Sequence, residues 1–266
     1  MGEWPFLALD AALGAAGAAV GWLATRRLRA RKKAVADLLT VAVTVLSFSL
    51  GGQLLAPRLR DCRQWRQTRA AGREVFGNDR TAALYADTYL PLLRDQRLKE
   101  RLASQTAPDA FKAGVAQLTH AGLARLSTDE LERLFDLKRV MAAKSTAACA
   151  GFWTGILPPA TLAEGLKALD EHEQRAWITT TGRALALELG AQGEPPRLVA
   201  DTVGRVTSAL APDPRAAFAA ASQASTLTAA QACTTFRALA EGIKALPPET
   251  RDLGIRMLTN PELLPP

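Results

Sequence analysis

Two long apolar segments occupy most of the first 56 residues of this chain. Residues 4–24 carry one charge, Asp10, and residues 34–56 carry one charge, Asp37, near their start. An α-helix of about 20 apolar residues crosses the hydrocarbon core of a membrane. The segments therefore predict a transmembrane helical hairpin over residues 1–57. Two alternatives stay open: a cleaved signal peptide for the first segment, and two helices buried in a protein core.

The positive charge of the chain is concentrated beside these segments. The 266 residues include 33 Lys and Arg against 26 Asp and Glu, a formal net charge of +7. Residues 26–73 hold twelve basic side chains and two acidic ones, whereas residues 74–266 are close to neutral. The loop over residues 25–33 supplies six of the basic side chains: Arg26, Arg27, Arg29, Arg31, Lys32 and Lys33. Membrane topology explains such flanks better than nucleic-acid binding, so we expect no nucleic-acid partner.

The flanking charges also bear on orientation. The basic residues between the apolar segments and those just after the second segment are equal in number, so a simple count gives no preference. The first segment has an acidic flank before it and a strongly basic flank after it, which favours an external N-terminus. With two spans, the C-terminal domain then lies on the same face, in the periplasm. The Ala- and Arg-rich composition suggests a GC-rich bacterial genome.

Small residues recur at helical spacing on both apolar segments, so the two helices are expected to pack closely. The residues assigned to this packing are Gly14, Gly17, Gly21, Thr40, Thr44, Ser47 and Gly51. Such glycine spacing also arises by chance in Ala- and Gly-rich helices. Asp10 would be an intramembrane acid, which is a functional candidate by default. The alternative is an interfacial Asp10 that bonds to Ser49 or Gln53.

Residues 58–77 predict a basic amphipathic helix that leaves the membrane. Apolar and aromatic residues alternate in this segment with six arginines, as in a helix that lies among lipid headgroups. The arginines assigned to headgroup binding are Arg58, Arg60, Arg63, Arg66, Arg69 and Arg73. The alternative is an ordinary solvated basic helix.

The remaining residues, 78–266, predict one all-α domain of eight or nine helices, because alternating β-branched runs are almost absent. The second helix of the body is expected to reach about Gln105, with a kink at Pro91, and a later one to run from Thr128 towards Trp153. The expected start signals are Asn78, Pro108, the capping box Ser127–Glu130, Pro158–Pro159, Asp170 with Glu173, Pro195–Pro196, Asp213–Pro214, Thr226 or Thr228, and Pro247–Pro248.

Little catalytic chemistry is visible in the sequence. His120 and His172 are the only histidines, and neither has a partner at metal-ligand spacing. Glu171 and Glu173 around His172 are typical of an acidic first helical turn. Nucleophile-elbow, Walker and dinucleotide-binding fingerprints are absent from the sequence. We therefore predict no enzyme, no metal and no cofactor.

The three cysteines bear on the cellular compartment in which the helical domain lies. In a periplasmic domain, Cys149 and Cys233 could form a disulfide that closes a long loop, and Cys62 would be left over. The alternative is three reduced thiols.

These observations predict a membrane-anchored helical protein-interaction protein of a bacterial inner membrane. It would act as an assembly, scaffold or effector-neutralising factor, with membrane lipids and a protein at the membrane as partners. One alternative is an intramembrane sensor or transport accessory that uses Asp10 and the Thr40, Thr44 and Ser47 face. Another is a lipid-directed enzyme with His120 or His172 in a deep pocket. The sequence does not indicate an oligomeric state.

Overall fold

The computed structural model describes residues 61–154, 157–193, 201–223 and 227–259. The chain divides into two compact units, Met1–Arg66 and Gln67–Pro266. The predicted hairpin over residues 1–57, its packing residues, Asp10, Arg58 and Arg60 lie outside the described residues. Among the helices that the structure does describe, none is both long and apolar enough to cross a membrane. The fold below is that of the second unit.

The described residues are helical and contain no strand, which confirms the all-α class. The first helix, α1, is described over residues 61–76. The others are α2 (Asp79–Arg94), α3 (Gln96–Arg101), α4 (Pro108–Leu123), α5 (Thr128–Lys144), α6 (Thr146–Thr154), α7 (Pro159–Lys167), α8 (Glu171–Gly190), α9 (Thr202–Ala209), α10 (Pro212–Gln223), α11 (Ala229–Lys244) and α12 (Pro248–Thr259).

Most helix starts follow the cap residues in the sequence. The Asn78 side chain accepts a hydrogen bond from the backbone of Thr81 at the start of α2. Capping boxes at Ser127 and Asp170 open α5 and α8, as predicted, and Thr228 with Gln231 forms a third at α11. These side chains satisfy backbone donors that the first turn of a helix leaves without partners. The predicted Pro195–Pro196 start lies outside the described residues.

The prediction of eight or nine helices was wrong, since eleven helices are described between residues 79 and 259. The expected helix through Gln105 breaks at Asp95, whose carboxylate holds the backbone and the guanidinium of Arg97. The helix expected from Thr128 towards Trp153 breaks at Ser145. The Ser145 backbone is extended, and its hydroxyl accepts from the backbone of Ala148, so it caps α6. A polar side chain that bonds its own backbone competes with helix continuation.

The helix α8 occupies the centre of one half of the domain, where it packs against α2, α4 and α5. The crossing of α4 and α8 is very close, since a Cβ atom on Gly122 would lie 2.0 Å from the backbone oxygen of Ala184. Gly182 is similarly close to Thr88, because a Cβ atom on Gly182 would lie 2.4 Å from the Thr88 methyl carbon. Glycine at these positions lets two helix backbones approach.

In the other half, α11 packs against α6, α10 and α12. The Cα atoms of Cys149 on α6 and Cys233 on α11 are 4.9 Å apart, and the two residues form a buried disulfide. It closes a loop of 84 residues in sequence separation, which contributes about 4 to 5 kcal/mol in the chain-entropy description. The disulfide therefore fixes the α6–α11 pair in the core.

Candidate functional site

A cavity of about 570 Å³, partly open to solvent, lies in the helical domain. Side chains from α1, α2, α4, α5, α6, α7, α8 and α12 line it, so most of the fold contributes to its walls. Its aromatic and larger aliphatic walls comprise Phe76, Tyr85, Tyr89, Phe111, Leu134, Phe152, Leu162, Leu166, Trp177, Ile178 and Leu258. Binding sites for small molecules have this size and this predominantly apolar lining.

One charged side chain, Lys138, reaches the wall from α5. Its Nζ donates a hydrogen bond of 3.2 Å to the backbone oxygen of Thr259, the last residue of α12. The same nitrogen lies 5.5 Å from the ring centroid of Phe152. Desolvation lowers the pKa of Lys138 to about 8, although the residue as a whole is partly and not fully buried. In the described part of the chain, no carboxylate pairs with this ammonium to offset its desolvation.

The polar groups on the opposite wall satisfy each other. The Tyr89 hydroxyl donates to Thr181 Oγ1 at 2.8 Å, and Thr181 Oγ1 donates to the backbone oxygen of Trp177 at 2.7 Å. Burial raises the pKa of the Tyr89 phenol well above its usual value. Because these hydroxyls already have partners, they set the shape of the wall and do not require a ligand.

The cavity reaches the surface beside the first turns of α4. Lys112 and Ala116 are exposed residues of α4 that also line it. The Lys112 ammonium bonds to Asp109, 3.1 Å away, and both side chains are largely exposed. This part of α4 therefore forms a mouth of the cavity.

A buried amide holds two walls of the cavity together. Gln174 on α8 donates from Nε2 to the backbone oxygens of Phe76 and Leu166, at 3.1 and 2.9 Å. Its Oε1 accepts from Asn78 at 2.6 Å. The ends of α1, α2 and α7 are thus fixed to α8, which positions the Phe76 and Leu166 side chains that face the cavity.

The two histidines are not brought together. His120 lines the cavity from α4, whereas His172 is exposed in the first turn of α8. Among the described residues, those that line the cavity include no Asp or Glu. Over the part of the chain that is described, no cluster of His, Cys, Asp and Glu has the arrangement of a metal site.

The arginines that were assigned to lipid headgroups are described from Arg63 onward. Arg63, Arg66 and Arg73 are exposed, and Arg69 is partly buried. Arg69 and Arg73 both approach the Asp79 carboxylate, at 3.7 and 3.6 Å. Asp79 thus neutralises part of the charge of this helix, and the headgroup assignment stays a prediction. Cys62 carries an exposed free thiol.

Sequence reasoning missed two charged sites. Lys138 follows Leu134 by four residues and precedes Met141 by three, and both of these are fully buried, so its spacing placed it on the core face of α5. The second site is Glu188, whose side chain is 8% exposed and pairs with Arg101 and Arg125 at 2.9 and 2.7 Å. Its partners lie 87 and 63 residues away, and no local signal could have identified them.

Over the described residues, the fold and this site define an all-α protein with an apolar cavity of ligand size and a partly buried ammonium group, that of Lys138, in its wall. The chain matches no protein-family model, no curated protein and no solved structure.

Proposed function

We propose that this chain is a membrane-anchored helical binding protein whose domain takes an apolar ligand into the cavity. The cavity is the observation that carries the proposal, because it has the volume and the lining of a ligand site. Apolar walls that stay in contact with water carry a free-energy cost. A bound ligand would relieve that cost. The predicted hairpin would hold the domain beside the apolar molecules of the bilayer.

A protein partner is the second candidate, because the mouth of the cavity is exposed at Lys112 and Ala116. In this form, an apolar side chain of a protein at the membrane enters the mouth, and the chain acts as an assembly, scaffold or effector-neutralising factor of a bacterial inner membrane. Recognition of a helix or loop through an apolar groove follows the same physical rules as packing in a protein core.

An enzymatic role and an intramembrane role receive less support. For the lipid-directed enzyme, the structure gives the position of His120 in the cavity wall and no observation that favours a reaction there. The intramembrane sensor depends on Asp10 and on the Thr40, Thr44 and Ser47 face, which lie outside the described residues. It therefore stays a prediction.

Photolabelling tests the proposed function on the full chain in phosphatidylcholine nanodiscs. The probe is a ten-carbon aliphatic alcohol that carries a diazirine, and mass spectrometry locates the labelled peptides. We expect labels on the cavity walls formed by α4, α5 and α8. Ala116→Trp at the mouth should remove most of this labelling, whereas Ala113→Trp, on an exposed α4 position outside the lining, should leave it unchanged. Labelling that avoids the cavity walls would refute the proposal.

Thiol labelling of intact bacteria tests the proposed location. A membrane-impermeant maleimide should reach the exposed thiol of Cys62 if the domain is periplasmic. Cys149 and Cys233 should react only after reduction and denaturation, because they are bonded and buried. If Cys62 reacts only after the cells are opened, the domain is on the cytoplasmic side.

A further inference from the structure

The contacts of Lys138 bear on which ligand the cavity could take. Its ammonium has three donors, and the described chain offers it one acceptor, the Thr259 backbone oxygen, and the face of the Phe152 ring. Buried charges in proteins are normally paired with an opposite charge. Here the missing partner has a place to sit, because Lys138 lines a cavity.

The rest of the cavity limits what else the ligand contains. Its walls are aromatic and aliphatic, and the hydroxyls of Tyr89 and Thr181 are already engaged with each other. The other titratable side chains in the lining are Tyr85, Lys112 and His120, and Lys112 is at the mouth. The single ammonium on the α5 wall therefore suits one monoanionic group, while the surrounding walls suit hydrocarbon.

We propose that the cavity binds a single-chain amphiphile with a carboxylate head, and that the carboxylate pairs with the Lys138 ammonium. This proposal rests on the proposed function and specifies its ligand class. A carboxylate offers one charge and two acceptor oxygens, which matches the two unused donors of Lys138. A phosphate head carries more charge and more oxygens than one ammonium satisfies. The hydrocarbon chain lies along the apolar walls.

Charge makes the interaction strong in this setting. Burial lowers the pKa of Lys138 to about 8, so the ammonium form still predominates at pH 7. A carboxylate beside it favours that charged form and raises the pKa again. Because the surrounding walls are apolar, the attraction between the two groups is screened much less than on a protein surface.

A pair of photoactivatable probes tests this proposal on the full chain in phosphatidylcholine nanodiscs at pH 7. The probes are a ten-carbon aliphatic diazirine with a carboxylic acid head and the same chain with an alcohol head. For the wild type, we expect half-maximal labelling of the cavity walls at an acid concentration about tenfold lower than for the alcohol, since one charge-assisted hydrogen bond contributes on that order. Lys138→Met should abolish this preference, and Lys99→Met, at an exposed α3 position outside the lining, should retain it.

The outcomes separate the two proposals. Labelling of the cavity walls by the alcohol in Lys138→Met shows that the variant is folded and that the cavity still takes an apolar chain. Equal labelling by acid and alcohol in the wild type refutes the carboxylate pairing and leaves the apolar-ligand function in place. An acid preference that survives in Lys138→Met also refutes it, because another group then holds the head. Labelling of the walls by neither probe refutes both proposals.

Discussion

Replacing Lys138 with methionine should make the helical domain more stable at neutral pH. Methionine has a similar length and no charge, so it fills the same space without the desolvation penalty. The pKa of Lys138 falls from 10.5 to about 8 on folding because of burial. A shift of this size corresponds to about 3 kcal/mol of lost stability at pH 7. Methionine also loses the bond to the Thr259 oxygen and the Phe152 ring contact, about 1 to 2 kcal/mol. The net gain should be about 1 to 2 kcal/mol.

The pH dependence gives a cleaner measure of the same effect. Since the pKa of Lys138 is lower in the folded state, the unfolded state binds more protons between pH 8 and 10.5. The free energy of unfolding of the wild type therefore rises with pH across this window, and the penalty is fully present below pH 8. About 2.5 kcal/mol of it should disappear between pH 7 and pH 10. Lys138→Met lacks this contribution, so its advantage should shrink by that amount.

Pulse proteolysis in urea measures these free energies on the full chain in nanodiscs, in the absence of added ligand. A Cys62→Ser background prevents disulfide exchange by the exposed thiol at high pH. Lys112→Met is the matched control, because Lys112 is exposed and its removal should change stability by less than about 0.5 kcal/mol. Parallel pH profiles for the wild type and Lys138→Met would show that Lys138 is solvated, and the argument from burial would be wrong.

Two further predictions concern the packing that surrounds the cavity. Gly122→Ala should destabilise the domain by about 3 kcal/mol or more, because its Cβ would meet the Ala184 backbone oxygen at 2.0 Å. Gly204 has open space around it, so Gly204→Ala should stabilise α9 by about 0.5 to 1 kcal/mol. Urea midpoints compare the two, and a tolerated Gly122→Ala would disprove the close crossing of α4 and α8. Glu188→Gln should cost about 2 to 3 kcal/mol, because it leaves two arginines without their carboxylate. The exposed Glu241→Gln should cost less than about 1 kcal/mol in the same assay, and equal losses for the two variants would contradict the difference in burial.

Much of the helical architecture could be predicted because helix starts are encoded locally. The side chains of Ser127 and Glu130 each accept a hydrogen bond from the backbone of the other residue, within one turn, and so do those of Asp170 and Glu173. Such signals need no knowledge of the rest of the fold. The break at Ser145 is also local, yet it was missed because an apolar, Ala-rich run continues on both sides of it. Periodicity alone does not separate one bent helix from two short ones.

The cavity could not be predicted, because it arises from eight helices that meet around a space that their side chains leave open. A residue such as Phe152 or Trp177 has the same sequence signature whether it fills a core or lines a void. The disulfide belongs to the same class of feature: its two cysteines were identified from the sequence, but their proximity depends on how α6 packs against α11. Helix boundaries are determined by neighbours in sequence, whereas cavities are determined by the volumes of residues that are distant in sequence.

Lys138 is affected both by the local sequence pattern of its helix and by the packing of distant residues. Its spacing with Leu134 and Met141 places a charge on the face of α5 where an apolar residue is expected. In the folded domain, this charge lies in the wall of a cavity. Departures from local sequence rules are expected at functional sites, where stability is exchanged for activity. If Lys138 were purely structural, its replacement by methionine would destabilise the protein, and any preference for the acid would remain because another group holds the head. A ligand-binding lysine should show opposite changes, a more stable apo protein that no longer distinguishes an acid from an alcohol. The two measurements on one variant therefore separate these roles.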